Sequence, residues 1–478
     1  MLFNSIDFAI FLPIVFLIYW LIVNKSLRSQ NGFLVVASYV FYGWWDWRFL
    51  TLILFSTAVD YLVGIGLGQV ENKTRRKALL CISIFVNLGF LGFFKYYNFF
   101  LDNFIAAFQF FGSSIKPNSL NVILPVGISF YTFQTLSYSI DVYRRRLNPT
   151  KDFVAFAAFV SFFPQLVAGP IERATNLLPQ FFAPRSLNYA KAVDGLRQIL
   201  WGLFKKVVVA DNCAEIANLT FGYPEGQSGS TLLLGAFFFG MQIYGDFSGY
   251  SDVAIGTARL FGFDLMRNFA FPYFSRDIAE FWRRWHISLS TWFRDYVYIP
   301  LGGSRGGVWL TIRNTFVIFV VSGFWHGANW TFIVWGALHA IYFLPLIILR
   351  RNRINTGIVA EGKILPSLAD AARILTTFFM TTIAWIFFRA DSVGQAWNYL
   401  SIIFSDSFFL APEWGGKRPI LFVVLMLMVE WVGRGDQHAL EKIALTWRRP
   451  VRYAFYYSIV LAILFFAGQE QEFIYFQF

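Results

Sequence analysis

Charge is scarce in this 478-residue chain, where 14% of the residues are charged and 57% are hydrophobic. That balance excludes an ordinary soluble domain, which could not bury so much apolar surface in one core. Cysteine is scarcer, with two residues, Cys81 in an apolar run and Cys213 in "VADNCAEIA". Their spacing makes neither a metal site nor a disulfide framework, so both read as packing residues. No internal repeat, low-complexity linker or polar stretch of domain length interrupts the chain, which leaves one integral membrane domain over residues 1–478. A Walker loop, a Rossmann glycine pattern, HExxH and a G-x-S-x-G elbow are also missing. ATP-driven transport, hydride transfer, zinc proteolysis and α/β-hydrolase chemistry therefore lack their parts.

What is present is apolar sequence in long runs, which predicts an all-α, polytopic integral membrane protein. Phe8 to Val23, Leu79 to Phe94, Leu232 to Tyr244 and Ala328 to Leu349 are uncharged, the last 22 residues long against roughly 20 needed to span a bilayer. Hydropathy gives about 11 to 13 segments, the shorter ones tilted, re-entrant or broken. Asp7 before the first run and Lys25 and Arg28 behind it reverse the order of a cleavable signal peptide and favour an outward N-terminus.

The net charge of +12 comes partly from basic clusters at Lys73 to Lys77, Arg144 to Arg146, Arg350 to Arg353 and Arg448 to Arg452. Beside apolar runs such clusters anchor the chain to the cytoplasmic leaflet and imply no nucleic acid. Placing all four inside requires Phe99 to Phe111 to be interfacial.

Polar residues and glycine crowd between apolar ones in the middle of the chain, and residues 161–340 are the region to search for chemistry. In "FFPQLVAGPIERATNLLPQF", Pro164, Gly169, Pro170 and Pro179 predict a repeatedly broken segment lining a cavity. In "GMQIYGDFSGYSDVAIG", Asp246 and Asp252 need hydration or partners such as Arg173, Lys205 or Arg259. The stretch "RDIAEFWRRWHISLSTWFRDYVYIPLGG" predicts one amphipathic helix at the interface. Ile278, Phe281, Trp282, Trp285, Leu289 and Trp292 project on one face, with Asp277, Glu280, Arg283, Arg284 and Arg294 opposite. His286 projects at the border of the two faces, either into a cavity or snorkelling to the headgroups.

His326, in "FWHGANW", follows an uncharged run and lies 13 residues past Arg313, roughly 20 Å along a helix. That depth makes it a functional-site candidate, with a histidine hydrogen-bonded between helices as the plainer reading. Gly327 allows a turn there, and a second apolar run begins at once. His339 reads as a packing or supporting histidine, and His438 as a loop residue without an evident role. Together these features predict a polar chamber in the membrane. A buried neutral imidazole can accept a proton from a hydroxyl, as acyl transfer to oxygen requires without a metal. A transporter would use the same residue types as a proton relay, and the residues by themselves leave both open.

The motifs "FPQLVAGPIER", "YGDFSGYSDVAIG", "EFWRRWHISLSTWFRDYVYIPLGGSR", "SGFWHGANWTFIVWGALH" and the terminal "FIYFQF" resemble the membrane-bound O-acyltransferase family. Within it they are most similar to the bacterial alginate O-acetyltransferase branch, which is itself similar to the D-alanyl and peptidoglycan acetyl transfer proteins. The resemblance implies a helical bundle around a central funnel or tunnel, with His326 as the catalytic residue and His286 as the second, supporting one. Trp325, Asn329 and Trp285 in the same motifs, with Arg173, Asp211, Asp246 and Asp252, are implied as tunnel or chamber supports.

The resemblance further implies no bound cofactor or metal and an acyl thioester donor, acetyl-CoA or another, reached from the cytoplasmic side. The implied partners are the lipid bilayer, an exported SGNH-like acetyltransferase and a secreted or cell-surface polysaccharide. The implied location is the bacterial inner membrane.

Overall fold

The computed structural model describes residues 1–110, 125, 127–167, 169–413 and 416–474. Phe111 and residues 475–478 of the terminal motif lie outside the described residues. Every regular element among the described residues is helical, as hydrocarbon surroundings require of a backbone that must satisfy its own hydrogen bonds. Among the described residues five stretches are long and apolar enough to cross a membrane: Leu27–Gln69, Lys73–Phe110, Val308–His326, Trp330–Ile348 and Leu368–Arg389. Ile6–Ile22 and Phe153–Leu166 are apolar but shorter. The run Leu232 to Tyr244 falls in the first half of a 32-residue helix that also carries Asp246 and Asp252. Ile6, Leu62, Phe85 and Leu368 stand exposed, an outward apolar face of the kind lipid covers. The protein is a multi-pass, membrane-embedded one.

Two compact units are distinguished, Met1–Lys191 with Ala258–Leu265, and Ala192–Thr257 with Met266–Phe478. The first contains α1 (Ile6–Leu17), α2 (Leu27–Asp46), α3 (Leu50–Gln69), α4 (Lys73–Leu91), α5 (Tyr97–Phe110) and α6 (Ile128–Tyr143). Ser5, Ser26 and Asn72 cap α1, α2 and α4 by accepting from backbone N–H groups of the first turn, which supplies partners the helix cannot. Extended backbone at Asp46 separates α2 from α3. A π turn, Gly92–Tyr96, joins α4 to α5, so Phe99 to Phe110, expected at the interface, prolongs a 38-residue helix.

One buried carboxylate ties α3, α4 and α6 together. Asp60 accepts from Ser83, from Ser139 at 2.7 Å and from the Asn87 amide at 2.8 Å. The Asn87 carbonyl accepts in turn from Ser56 and Thr135, each at 3.0 Å. The proline-rich segment is broken as expected, into the single turns Phe163–Leu166, Ala174–Leu177 and Leu178–Phe181.

The second unit takes in most of α7 (Tyr189–Leu203), a seven-residue π-helix Phe204–Ala210, α8 (Asp211–Gly222) and most of α9 (Gly229–Leu260). The stretch expected as one amphipathic helix is two, α10 (Ile278–Arg284) and α11 (Ile287–Phe293), parted where His286 takes a left-handed φ of 43°. The break resets the helical phase, so a projection over the whole stretch misplaces its residues. Glu280, projected onto the polar face, is buried and holds Arg276 at 3.0 Å and Arg284 at 2.9 Å. Cys213 is buried as a packing residue should be, whereas Cys81 is exposed on α4.

The unit continues with α12 (Val308–His326), α13 (Trp330–Ile348), α14 (Leu368–Arg389) and α15 (Arg418–Val432). Two glycines bring α12 and α13 into backbone contact. A Cβ on Gly323 would strike the carbonyl of Phe332, and one on Gly336 that of Phe319. Small residues let membrane helices approach in this way. Gly323→Ala or Gly336→Ala is therefore expected to cost about 1–3 kcal/mol by overpacking. A thermal melt in detergent should show a lower midpoint for each, and unchanged midpoints would contradict the close approach.

Candidate active site

His326 is the last residue of α12, and the local sequence explains why the helix ends there. Gly327 has extended backbone, and any Cβ on it would enter the ring of Phe332. Asn329 then restarts the chain as a helix, its Oδ1 accepting from the Thr331 N–H at 3.1 Å and its Nδ2 donating to the Asp391 carbonyl at 2.9 Å. The imidazole of His326 is buried. Its ring centroid lies 5.0 Å from Trp325, 5.1 Å from Trp335 and 5.4 Å from Phe388.

His286 reaches the same place by the left-handed turn between α10 and α11. It is fully buried, so of its two readings the inward one holds and the snorkelling one does not. Its Nδ1 lies 3.1 Å from Asn268 Oδ1, and Phe247 meets its ring edge-on at 4.6 Å. The His286 and His326 rings lie 6.4 Å apart, with Trp325 at 6.3 Å from His286. Trp285 packs 5.1 Å from Trp385, which stacks on Trp335 at 5.6 Å. The two histidines thus share a buried, largely aromatic enclosure.

The other histidines have structural partners. His339 Nδ1 accepts from the Trp282 indole N–H at 3.2 Å, in keeping with a packing role. His438, in a loop, is buried with its Nε2 3.1 Å from Asp194.

The carboxylates expected in a chamber are paired with two adjacent lysines on the π-helix. Lys206 Nζ sits 2.8 Å from Asp211 and 2.9 Å from Asp246. Asp246 also accepts from the backbone N–H of Ile474 at 2.7 Å, which binds the first part of the terminal motif to α9. Lys205 Nζ sits 2.6 Å from Asp252 and 3.9 Å from Glu430, and Tyr244 donates to Glu430 at 2.8 Å. Lys205 was a foreseeable partner of the acids from the sequence, and it pairs with Asp252. Arg173 belongs to the first unit, where its carbonyl opens the turn Ala174–Leu177.

Asn268, Lys206, Trp335, Trp385, Phe388 and Glu430 join this region without being expected there from the sequence. Glu430 had a visible signal, a lone acid in "LFVVLMLMVEWV", and so had Lys206 in "FKKVVVA". The aromatic residues had none, because 21% of the chain is aromatic.

The membrane-bound O-acyltransferase family matches residues 144–390, a stretch that includes His286 and His326. The probable alginate O-acetylase of Azotobacter vinelandii is 41% identical over 408 residues, 85% of this chain and 78% of that protein. The peptidoglycan O-acetyltransferase of Helicobacter pylori is 32% identical over 528 aligned positions, 100% of this chain and 98% of that protein. The chain belongs to the membrane-bound O-acyltransferase family. A further similarity, 30% over 237 residues, runs to the teichoic acid D-alanyltransferase of Bacillus subtilis and covers 46% of this chain and 58% of that protein. This O-acyltransferase is therefore an acyl-transfer enzyme in a membrane, and the two histidines lie inside the matched segment.

Removing Lys206 would leave Asp211 and Asp246 facing each other without a cation, and breaking a buried pair in this way costs about 3–5 kcal/mol. Lys206→Met is expected to lower the melting midpoint in detergent well below that of wild type. An unchanged midpoint would mean that the ammonium does not hold this end of the unit.

Proposed function

We propose that this O-acyltransferase moves an acetyl group from a cytoplasmic thioester through the membrane plane, for O-acetylation of a secreted or cell-surface polysaccharide. The observation that carries the reading is the pair of buried imidazoles 6.4 Å apart, in a chain similar over most of its length to an alginate O-acetylase. His326 accepts the proton of the incoming hydroxyl as its oxygen attacks the thioester carbonyl. The C–S bond then breaks, the sulfur leaves as a thiolate, and the proton returns to it. His286 supports His326 by orienting it or relaying that proton. General-base action of this kind contributes about 10² to 10⁴ in rate, and the water-excluding aromatic wall protects the thioester from hydrolysis.

The donor side is supported by a cavity of about 220 Å³ whose lining includes Phe319, Ser322, Trp282, Arg294, Asn352 and Arg353. Ser322 and Phe319 precede His326 by one and two turns on α12, so an acyl arm lying along that face points toward the imidazole. Arg294 and Arg353 suit the phosphates of acetyl-CoA or of another phosphopantetheine thioester. Arg353 belongs to a basic cluster of the kind that faces the cytoplasm, which fits a bacterial inner-membrane protein that takes its donor from inside. The acceptor is an exported SGNH-like acetyltransferase that passes the group to polysaccharide. Trp325, Asn329 and Trp285 act as supports of this site, and Arg173, Asp211, Asp246 and Asp252 as supports of its surroundings.

The test is thiol release from acetyl-CoA by detergent-purified protein, with a soluble acceptor domain present and absent. Wild type is expected to release thiol when acceptor is present, and His326→Ala to fall by about a hundredfold or more at equal protein abundance. Full activity in His326→Ala would overturn the assignment of that residue, and no release by wild type would overturn acetyl-CoA as donor.

A further inference from the structure

We propose that Asn268 is a positioning residue for acyl transfer, holding His286 in the tautomer with its proton on Nδ1 and leaving Nε2 as the nitrogen that accepts a proton. The proposal rests on the acyl-transfer reading above.

The geometry fixes the tautomer in two steps. The backbone N–H of Ser288, which can only donate, points to Asn268 Oδ1 at 3.3 Å, and the Ser288 hydroxyl donates to the same atom at 2.8 Å. That identifies Oδ1 as the carbonyl end of the amide, while Nδ2 on the other side donates to Ser251 Oγ on α9 at 3.0 Å. His286 Nδ1 lies 3.1 Å from the same Oδ1 and 3.4 Å from the Ser288 hydroxyl, whose hydrogen goes to Oδ1 over the shorter distance of 2.8 Å. A carbonyl oxygen has no hydrogen to give, so Nδ1 carries one. In a neutral imidazole the remaining nitrogen, Nε2, then bears the lone pair.

The backbone of the same residue holds the turn. The Asn268 carbonyl accepts from the Ile287 N–H at 2.9 Å, and Ala270 N–H donates to the Arg284 carbonyl at 2.9 Å. These bonds flank His286 and its left-handed φ of 43°, a conformation a β-carbon disfavours and that persists where its surroundings over-determine it. Asn268 is itself fully buried, so no solvent competes for its amide. Among the described residues the titratable group facing His286 is His326, on α12. Phe247 on α9, Phe269 in the loop and Trp325 on α12 present uncharged rings. Without the Asn268 oxygen, the Ser288 hydroxyl 3.4 Å away is released to donate to Nδ1, and the tautomer with its proton on Nε2 becomes available.

Two measurements test this. The first is ¹⁵N NMR of imidazole-labelled protein in detergent, with the His286 signals identified by their loss in His286→Gln. Wild type is expected to show a protonated Nδ1 and an unprotonated Nε2, and Asn268→Ala to show a mixture. The same tautomer in both proteins would overturn the proposal, whether or not any turnover is seen. The second is the pH profile of thiol release. Asn268→Ala should lose about tenfold or more in kcat with KM for the thioester unchanged. Asn268→Asp keeps the shape but sets a carboxylate against Nδ1–H, which favours the imidazolium. A base works deprotonated, so the rising limb of its profile should move to higher pH by about one unit. Loss of activity in both variants only in proportion to loss of folded protein, with the limb unmoved, would make Asn268 a structural residue and nothing more. Failure of the wild type to release thiol, with the tautomer result as expected, would count against the acyl-transfer reading and not against the role of Asn268.

Discussion

Nothing in a hydrocarbon surround will solvate a polar group, so each one inside this protein must be answered by another part of the chain. The first unit answers with hydroxyls and an amide gathered on Asp60, and the three donors come from α4 and α6 while the carboxylate comes from α3. The second answers with two consecutive ammonium groups, each set against carboxylates from other elements. Such clusters specify which helices pack together, because any other arrangement would strand a charge in an apolar interior.

The π-helix Phe204–Ala210 is where that requirement meets backbone geometry. Two neighbouring lysines would ordinarily diverge, one inward and one toward lipid, yet both are buried here. The widened turn lets Lys205 reach Asp252 and Glu430 while Lys206 reaches Asp211 and Asp246. Widened turns of this kind are uncommon and often mark functional regions. In this protein the turn adjoins α9, whose residues Phe247 and Ser251 contact His286 and its partner Asn268.

The histidine pair depends on two breaks in helical structure that arise by different means. At His326 the helix stops because Gly327 leaves it in extended backbone and Asn329 begins the next one. At His286 no glycine is present, and the left-handed turn is held by bonds from the loop carrying Asn268. The first device is carried by local residue chemistry, the second by residues brought in from a distance. Trp325 lies against both rings, while Trp335, backed by Trp385, walls the His326 side.

Much of this was legible in the chain itself. Membrane embedding follows from the ratio of apolar to charged residues, the break after His326 from Gly327, and the irregular course of Phe162 to Phe181 from its prolines. A functional role for His326 could be suspected from an ionisable group far inside an apolar run, and the family from the motifs around it. Those features depend on residue type and near neighbours, which a sequence displays directly. The division of the expected amphipathic helix into α10 and α11 was not legible, because the bonds that hold the turn come from Asn268. The same is true of the choice of lysine for each aspartate and of the rings that wall the site, since packing between distant segments selects among many similar candidates. Sequence thus determined the environment and the family; only the tertiary structure decided what His326 faces, because proximity across the fold has no local signature.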